Sequence, residues 1–327
     1  MVPAHHGVYH MSYLQAIVIG AIQGFYELFP LSSLGHTVLI PAWIGGSWAT
    51  LVRQEAQPES PYLAFVVGLH LANAVALLLF YLRTWGRLIA GFVRSIVRRR
   101  IVTPIERLAW LIVIATIPVG LLGLAFEHTF RVLFAKPFVA GIFLTCNGLI
   151  LLAGEARIRR LGAAPSADGE QDAGDEPAAE RQAPDADPVL VTIDASAEAE
   201  LAGVGVRSAF VIGAAQALAL LAGISREGVA MVGGLYRGLS RENALRFAFL
   251  LSTPVIFAAG ALKVPDLSGP LGHGIRGQVV AGSVAAMVVS LVAIALALRY
   301  FRTRTLVPFA VYSLLFGVAS AVRFGLF

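Results

Sequence analysis

The residues best able to do chemistry in this chain are the few polar ones set inside its apolar runs. Outside one acidic stretch only nine carboxylates remain, and seven of them, Glu55, Glu59, Glu106, Glu127, Glu155, Glu242 and Asp266, fall at the ends of apolar segments or between them. Glu27 and Glu227 do not. An ionisable group at membrane depth is costly unless it is paired or hydrated, so both are functional candidates. Gln23 precedes Glu27 by four residues, which puts the two on one helical face just ahead of Pro30. Beyond the proline, Ser32 or Ser33 is suited to cap a second helix, and His36 follows one turn later on the Ser32 face. In the second half Ser225 takes the equivalent capping place, and Arg226 adds a fork of donors that matches phosphate oxygens. Helix N-termini with free N–H groups and serine hydroxyls bind anions, and two of them converging could hold one pyrophosphate. Simpler roles exist for Glu27, as a helix-end carboxylate reaching water, and for Arg226, as the ion partner of Glu227. His70 and Asn73 are weaker signals and read as supporting residues.

These residues need elements that hold them at depth. Six segments are long and apolar enough to cross a hydrocarbon layer of roughly 30 Å: about 62–83, 107–127, 137–155, 243–263, 277–299 and 306–326. Two further apolar regions, 13–48 and 204–238, are each interrupted midway, by Pro30 to His36 and by Ala222 to Gly228. Such an interruption fits a re-entrant hairpin of two half-helices. The first stretch, from about Tyr13 to Phe29, lacks a basic leader and is expected to be mature structure rather than a signal peptide.

Sliding the chain on itself by 193 residues superposes Ala16, Val18, Ile19, Gly20, Ala21, Gln23, Leu28, Ser32 and Gly35 on Ala209, Val211, Ile212, Gly213, Ala214, Gln216, Leu221, Ser225 and Gly228. Each half is then one hairpin and three spans. Three is odd, so the second half enters the membrane in the opposite sense, an inverted repeat that brings a site to the midplane. The expected organisation is a first repeat over 1–161, an acidic disordered linker over 162–201 and a second repeat over 202–327, all helical. The linker holds 11 of the 20 acidic residues and, from Asp168 to Glu200, only Arg181 as a base.

With 57% hydrophobic and 14% charged residues, the chain is too apolar for a soluble domain. Its arginines test the topology separately. Arg83, Arg87, Arg94, Arg98, Arg99, Arg100 and Arg107, then Arg157, Arg159 and Arg160, then Arg237, Arg241 and Arg246, then Arg299, Arg302 and Arg304 all fall on one side of the expected membrane path, the cytoplasmic one by charge bias. The lone Cys146 supports neither a disulfide nor a Cys-based metal site. Nothing in the sequence suggests a nucleic-acid partner.

Taken together, these residues resemble the undecaprenyl pyrophosphate phosphatase family, known also for bacitracin resistance. Gln23-Gly24-Phe25-Tyr26-Glu27 looks like its (E/Q)-x-x-x-E motif, Pro30 to His36 like its P-x-S-S-x-G-H run, and Ala222 to Ala230 like its P-G-x-S-R-S-x-x-T motif. Softer similarities lie at His70-Leu71, at Ala115 to Gly120, from Phe247 to Pro254 and from Val307 to Tyr312.

The resemblance implies six spans and two re-entrant hairpins in the bacterial inner membrane, with a site opening outward. It implies metal-assisted removal of the terminal phosphate of a polyprenyl pyrophosphate, regenerating the lipid carrier of cell-wall synthesis. Carried over, it makes Glu27 a general base or metal carboxylate, Ser33 a nucleophile or phosphate ligand, and His36 a proton carrier. Ser32, Ser225 and Arg226 become phosphate-binding, and Glu27 with Gln23 would hold a divalent cation such as Mg or Ca. Three positions depart from the second motif, with Ala222 in place of Pro, Glu227 of Ser and Ala230 of Thr. Glu227 could then serve the cation where Gln23 replaces a more usual Glu, or it could mark a changed substrate. A non-hydrolytic flippase for a polyprenyl phosphate is the alternative, since an inverted repeat is also a transporter architecture. A homodimer is left open.

Overall fold

The computed structural model describes residues 11–55, 61–134, 136–162, 192–268 and 274–326, and every regular element among them is a helix. Helix α1 (Tyr13–Leu28) starts in a capping box, with the Ser12 hydroxyl accepting the Gln15 N–H at 3.2 Å and the Gln15 side chain accepting the Ser12 N–H at 2.9 Å. It stops at Phe29, whose backbone is extended, because Pro30 has no N–H and disfavours helix in the residue before it. Helices α2 (Ser33–Ile44) and α3 (Gly46–Glu55) follow.

Helix α4 (Pro61–Phe80) covers the first expected span. The segment after it, expected as a loop, is instead helix α5 (Leu82–Arg98), turned by 82° from α4. The reason is periodic: Thr84, Leu88, Gly91 and Ser95 recur at helical spacing and are all buried, while the arginines lie on another face. Helices α6 (Pro104–Phe134) and α7 (Pro137–Gly162) complete the first half.

Of the expected linker, residues 163–191 lie outside the described residues, and its last part is ordered. Asp194 accepts the Ala197 N–H at 2.7 Å and caps helix α8 (Ala195–Ala202). Ile193, Ala197 and Leu201 recur every four residues and are buried, which gives this short segment an apolar face to dock. Arg87 ties it down, donating to Ile193 O at 3.2 Å and pairing with Glu198 at 2.5 Å.

Helix α9 (Val206–Ala215) continues into a 3-10 turn (Gln216–Leu220), and α10 (Arg226–Tyr236), α11 (Arg241–Ser268), α12 (Arg276–Phe301) and α13 (Val307–Leu326) follow. Five helices, α6, α7, α11, α12 and α13, each contain a stretch long and apolar enough to cross a membrane. Two bent pairs, α4 with α5 and α8 with α9 and its turn, meet the same measure of length and apolarity when each is taken together. The molecule is thus an all-helical, polytopic membrane protein.

Packing crosses between the halves. A Cβ on Gly20 of α1 would meet Gly282 O of α12 at 2.2 Å, and one on Gly213 of α9 would meet Ala115 O of α6 at 2.0 Å. Gly20 and Gly213 are an aligned pair of the 193-residue repeat, so the equivalent close approach is made twice. Helix α7 packs on α13 and α4 on α11. Three of the arginines, Arg241, Arg246 and Arg302, gather on two carboxylates. Arg241 donates to Glu155 at 2.6 and 3.2 Å, Glu155 also accepts the Leu306 N–H at 3.2 Å, and Glu242 accepts from Arg246 at 2.7 Å and Arg302 at 3.1 Å.

Candidate active site

The two interruptions of the chain pack against each other. Ser32, held at φ 65°, accepts the Gly35 N–H at 3.3 Å as the cap of α2 and the Gly223 N–H at 3.1 Å from the second interruption. A Cβ on Gly35 would come within 2.9 Å of Gly223 Cα, so the backbones touch where a side chain would separate them. Gly223 itself sits at φ +117°, a conformation that favours glycine, and a Cβ there would meet Ala140 O at 2.5 Å. Asn147 of α7 fastens both breaks, donating to Pro30 O at 3.0 Å and accepting the Ser225 N–H at 2.9 Å.

This junction gathers five of the sequence-predicted residues. Ser33 donates its hydroxyl hydrogen to Glu27 Oε2. The Gln23 amide nitrogen lies 3.1 Å from the same oxygen, 3.2 Å from Ser33 Oγ and 3.0 Å from His70 Nε2. His70 Nδ1 donates to Val66 O at 2.9 Å, which leaves Nε2 as the lone-pair nitrogen facing the cluster. Arg226 Nη1 reaches 3.7 Å from Glu27 Oε1, and His70 Nε2 lies 3.7 Å from Glu27 Oε2. Glu27 is buried, whereas the His70 and Arg226 side chains keep 23% and 18% exposure. His70, read from sequence as a supporting residue, is thus a direct member of the cluster.

Glu227 is buried beside Arg226, within electrostatic reach of Glu27 and near Ser252. Four other predicted residues point elsewhere. Ser32 spends its oxygen on the two backbone N–H groups, and the Ser225 hydroxyl accepts the Gly228 N–H at 3.0 Å as the cap of α10. His36 places Nδ1 2.7 Å from Ser32 O and Nε2 3.0 Å from the Tyr312 hydroxyl, with the Tyr26 ring stacked at 3.7 Å. Its ring serves the backbone of the Ser32 cap rather than the Glu27 cluster. Asn73 accepts from Ser290 at 2.9 Å, and Ser290 also reaches Gly24 O at 3.3 Å. Sequence reasoning missed Asn147, Tyr26, Tyr312 and Ser252. The available signal was polarity inside apolar runs, which Asn147 and Tyr312 both show.

Gln23 Oε1, Arg226 Nη1 and Glu227 Oε1 are buried polar atoms with no hydrogen-bond partner. An unsatisfied buried polar atom costs about 1–3 kcal/mol, so these are the atoms that a bound ligand would satisfy. Arg226 Nη1 is a donor suited to an anion. Gln23 Oε1 and Glu227 Oε1 are oxygen acceptors of the kind a hard cation takes. Among the described residues no three His, Cys, Asp or Glu side chains form a metal-binding group. The oxygens here that could contribute to holding a divalent cation such as Mg or Ca are those of Glu27, Glu227 and the Gln23 amide.

Comparison with known proteins points the same way as this chemistry. A family model described as the bacitracin resistance protein BacA matches residues 16–319. An undecaprenyl-diphosphatase 2 of Frankia alni is 51% identical over 350 residues, covering 98% of this chain and 100% of that protein. An undecaprenyl-diphosphatase of Mycolicibacterium paratuberculosis is 54% identical over 313 residues, covering 96% of this chain and 97% of its own length. A further undecaprenyl-diphosphatase 2, of Chromobacterium violaceum, is 36% identical over 313 residues.

Proposed function

The chain belongs to the bacitracin resistance protein BacA family, and from that premise we propose that it is an integral-membrane undecaprenyl-diphosphatase whose chemistry is carried by Ser33 and Glu27. It removes the terminal phosphate of undecaprenyl diphosphate and so returns the lipid carrier to use. The relatives are named for hydrolysis, and the flippase alternative draws no support from them.

The observation that carries the assignment of roles is the Ser33 hydroxyl donating to a buried carboxylate. Glu27 Oε2 takes that proton as Ser33 Oγ bonds to the terminal phosphorus. The bond from that phosphorus to the bridging oxygen breaks, and the polyprenyl monophosphate departs. Water then attacks the phosphorus of the phosphoserine, the bond from phosphorus to Ser33 Oγ breaks as Glu27 returns its proton to Oγ, and inorganic phosphate departs carrying both hydrogens of the water. Arg226, 3.7 Å from Glu27 with an unpaired Nη1, meets the charge on the equatorial phosphate oxygens, where such transfers most need neutralisation. Gln23 holds Glu27 and Ser33 in register, and His70 Nε2 fixes the far side of the Gln23 amide. Bound at Glu27, Glu227 and Gln23, a divalent cation would supply further neutralisation of the pyrophosphate.

The same proposal has six spans and two re-entrant hairpins in an inverted repeat, set in the bacterial inner membrane with the site opening outward. Its supports are the two capped breaks, the twice-made glycine contact and the gathering of three arginines on two carboxylates. Acid quenching of the purified enzyme during turnover of substrate labelled in its terminal phosphate tests the chemistry. Label on Ser33, lost in Ser33→Ala together with turnover, is the expected result. Turnover with no protein-bound label would move the attack from Ser33 to water.

A further inference from the structure

Helix α5 has no part in the chemistry above, yet its surface is sharply partitioned. At 100° per residue, Thr84, Leu88, Gly91 and Ser95 share one arc, and all four are buried. From about a quarter-turn to about half a turn to one side lie Phe92, Trp85, Ile96, Ile89 and Val93, and Ile89 is 59% exposed. The equivalent flank on the other side carries Arg83, Arg87, Arg94 and Arg98, all exposed. The apolar flank opens onto a groove walled by Trp85, Phe92, Ile112, Ile117 and Pro254. The basic flank borders a separate hollow walled by Arg83, Arg87, Arg94 and Thr192.

Two further facts orient the helix. Its axis is turned 82° from the preceding α4 segment, so with α4 crossing the bilayer α5 runs near the membrane plane. Acids on the basic side are few: Glu198 is paired with Arg87, and Glu106, toward Arg94 and Arg98, accepts the N–H groups of Val102 and Thr103. Charge bias in loops explains on which side of a membrane arginines gather. It does not explain their confinement to one flank of a helix whose opposite flank is exposed and apolar. That partition is what a helix lying in the interface requires, with tails against one side and headgroups against the other.

We propose that α5 is an interfacial helix that binds the anionic phospholipid headgroups of the leaflet around it through Arg83, Arg94 and Arg98, with Ile89, Val93 and Ile96 among the acyl chains. The inference rests on membrane insertion and on α4 crossing the bilayer, and it stands apart from the phosphatase chemistry. Trp85, on the tail-facing flank, is the reporter. The full chain is placed in phosphatidylcholine vesicles containing about 20 mol% of either brominated phosphatidylglycerol or brominated phosphatidylcholine, and the Trp85 signal is taken as the difference from Trp85→Phe. Enrichment of the anionic lipid should quench that signal about twofold more than the zwitterionic one, and high salt should reduce the excess. Replacing Arg83, Arg94 and Arg98 by Gln should bring the two quenchers level, while replacing them by Lys should keep the difference. Equal quenching of the unmodified chain by both lipids overturns the proposal, and so does a difference that the Gln variant retains. If the Gln variant does not fold, the lipid and salt comparison on the unmodified chain decides alone.

Discussion

Ser32 accepts the backbone N–H of Gly223 at 3.1 Å, so a hydroxyl in the first interruption of the chain is fastened to the backbone of the second, 191 residues away. The bond is made by the residue next to Ser33, so it ties the position of Ser33 to the opposite half of the molecule.

Gly223→Ala is therefore expected to be severe. The residue lies at φ +117°, and a Cβ would meet Ala140 O and Leu144 N at 2.5 Å. The backbone strain alone is of the order of 1–3 kcal/mol, before the steric contact is counted. Thermal unfolding of the purified variant in detergent should fall by several degrees, and turnover should fall with it. A variant as stable and active as the parent would show that the two breaks are not packed this closely.

Glu27→Gln keeps the shape of the side chain and removes its capacity to take the Ser33 proton. Turnover should drop by about two to four orders of magnitude, the usual worth of a positioned general base. Thermal stability should be nearly unchanged, because an amide oxygen can still accept from Ser33. Phosphate release and unfolding, measured on the same preparation, separate the two effects. Near-parental turnover would remove Glu27 from the mechanism.

Asn147→Leu tests the clamp that joins both breaks from α7. The change leaves Pro30 O and the Ser225 N–H buried without their partner, at about 1–3 kcal/mol each. Stability should fall accordingly, and turnover should fall further than stability explains, since Ser33 lies three residues after Pro30 and Arg226 follows Ser225 directly. Asn147→Asp restores an acceptor for Ser225 but not a donor for Pro30, and should lie between Leu and the parent. Equal loss in both variants would assign Asn147 a packing role only.

Glu227→Ser separates two roles for a buried carboxylate that the second motif of the resemblance does not carry. As a cation ligand, Glu227 should lower the metal concentration needed for half-maximal turnover, so the Ser variant should need roughly tenfold more, the worth of losing about 1.4 kcal/mol of binding. Its activity at saturating metal should approach that of the parent. A Ser variant more active at every metal concentration would instead make Glu227 an obstacle to the phosphate, repelled in a site where solvent is scarce.

The sequence by itself determined the helical membrane class, the two breaks and their caps, because each rests on contacts within a few residues. Pro30 ends α1 by lacking an N–H, Ser225 caps α10 through Gly228 three residues on, and apolar runs of fixed length select spans. Gln23, Glu27 and Ser33 were legible for the same reason, being ten residues apart at most. Short amphipathic elements were less so. Helices α5 and α8 hide among charged residues, and their buried faces become apolar partners only once α6 is placed beside them. The direction of His36 was decided wholly by tertiary structure. Its Nε2 turns to Tyr312, 276 residues away, and its Nδ1 to the carbonyl of Ser32, while His70 rather than His36 reaches the Gln23 amide. A helix fixes which face a side chain occupies. What that face meets depends on the helix packed against it, and here that helix comes from the other end of the chain.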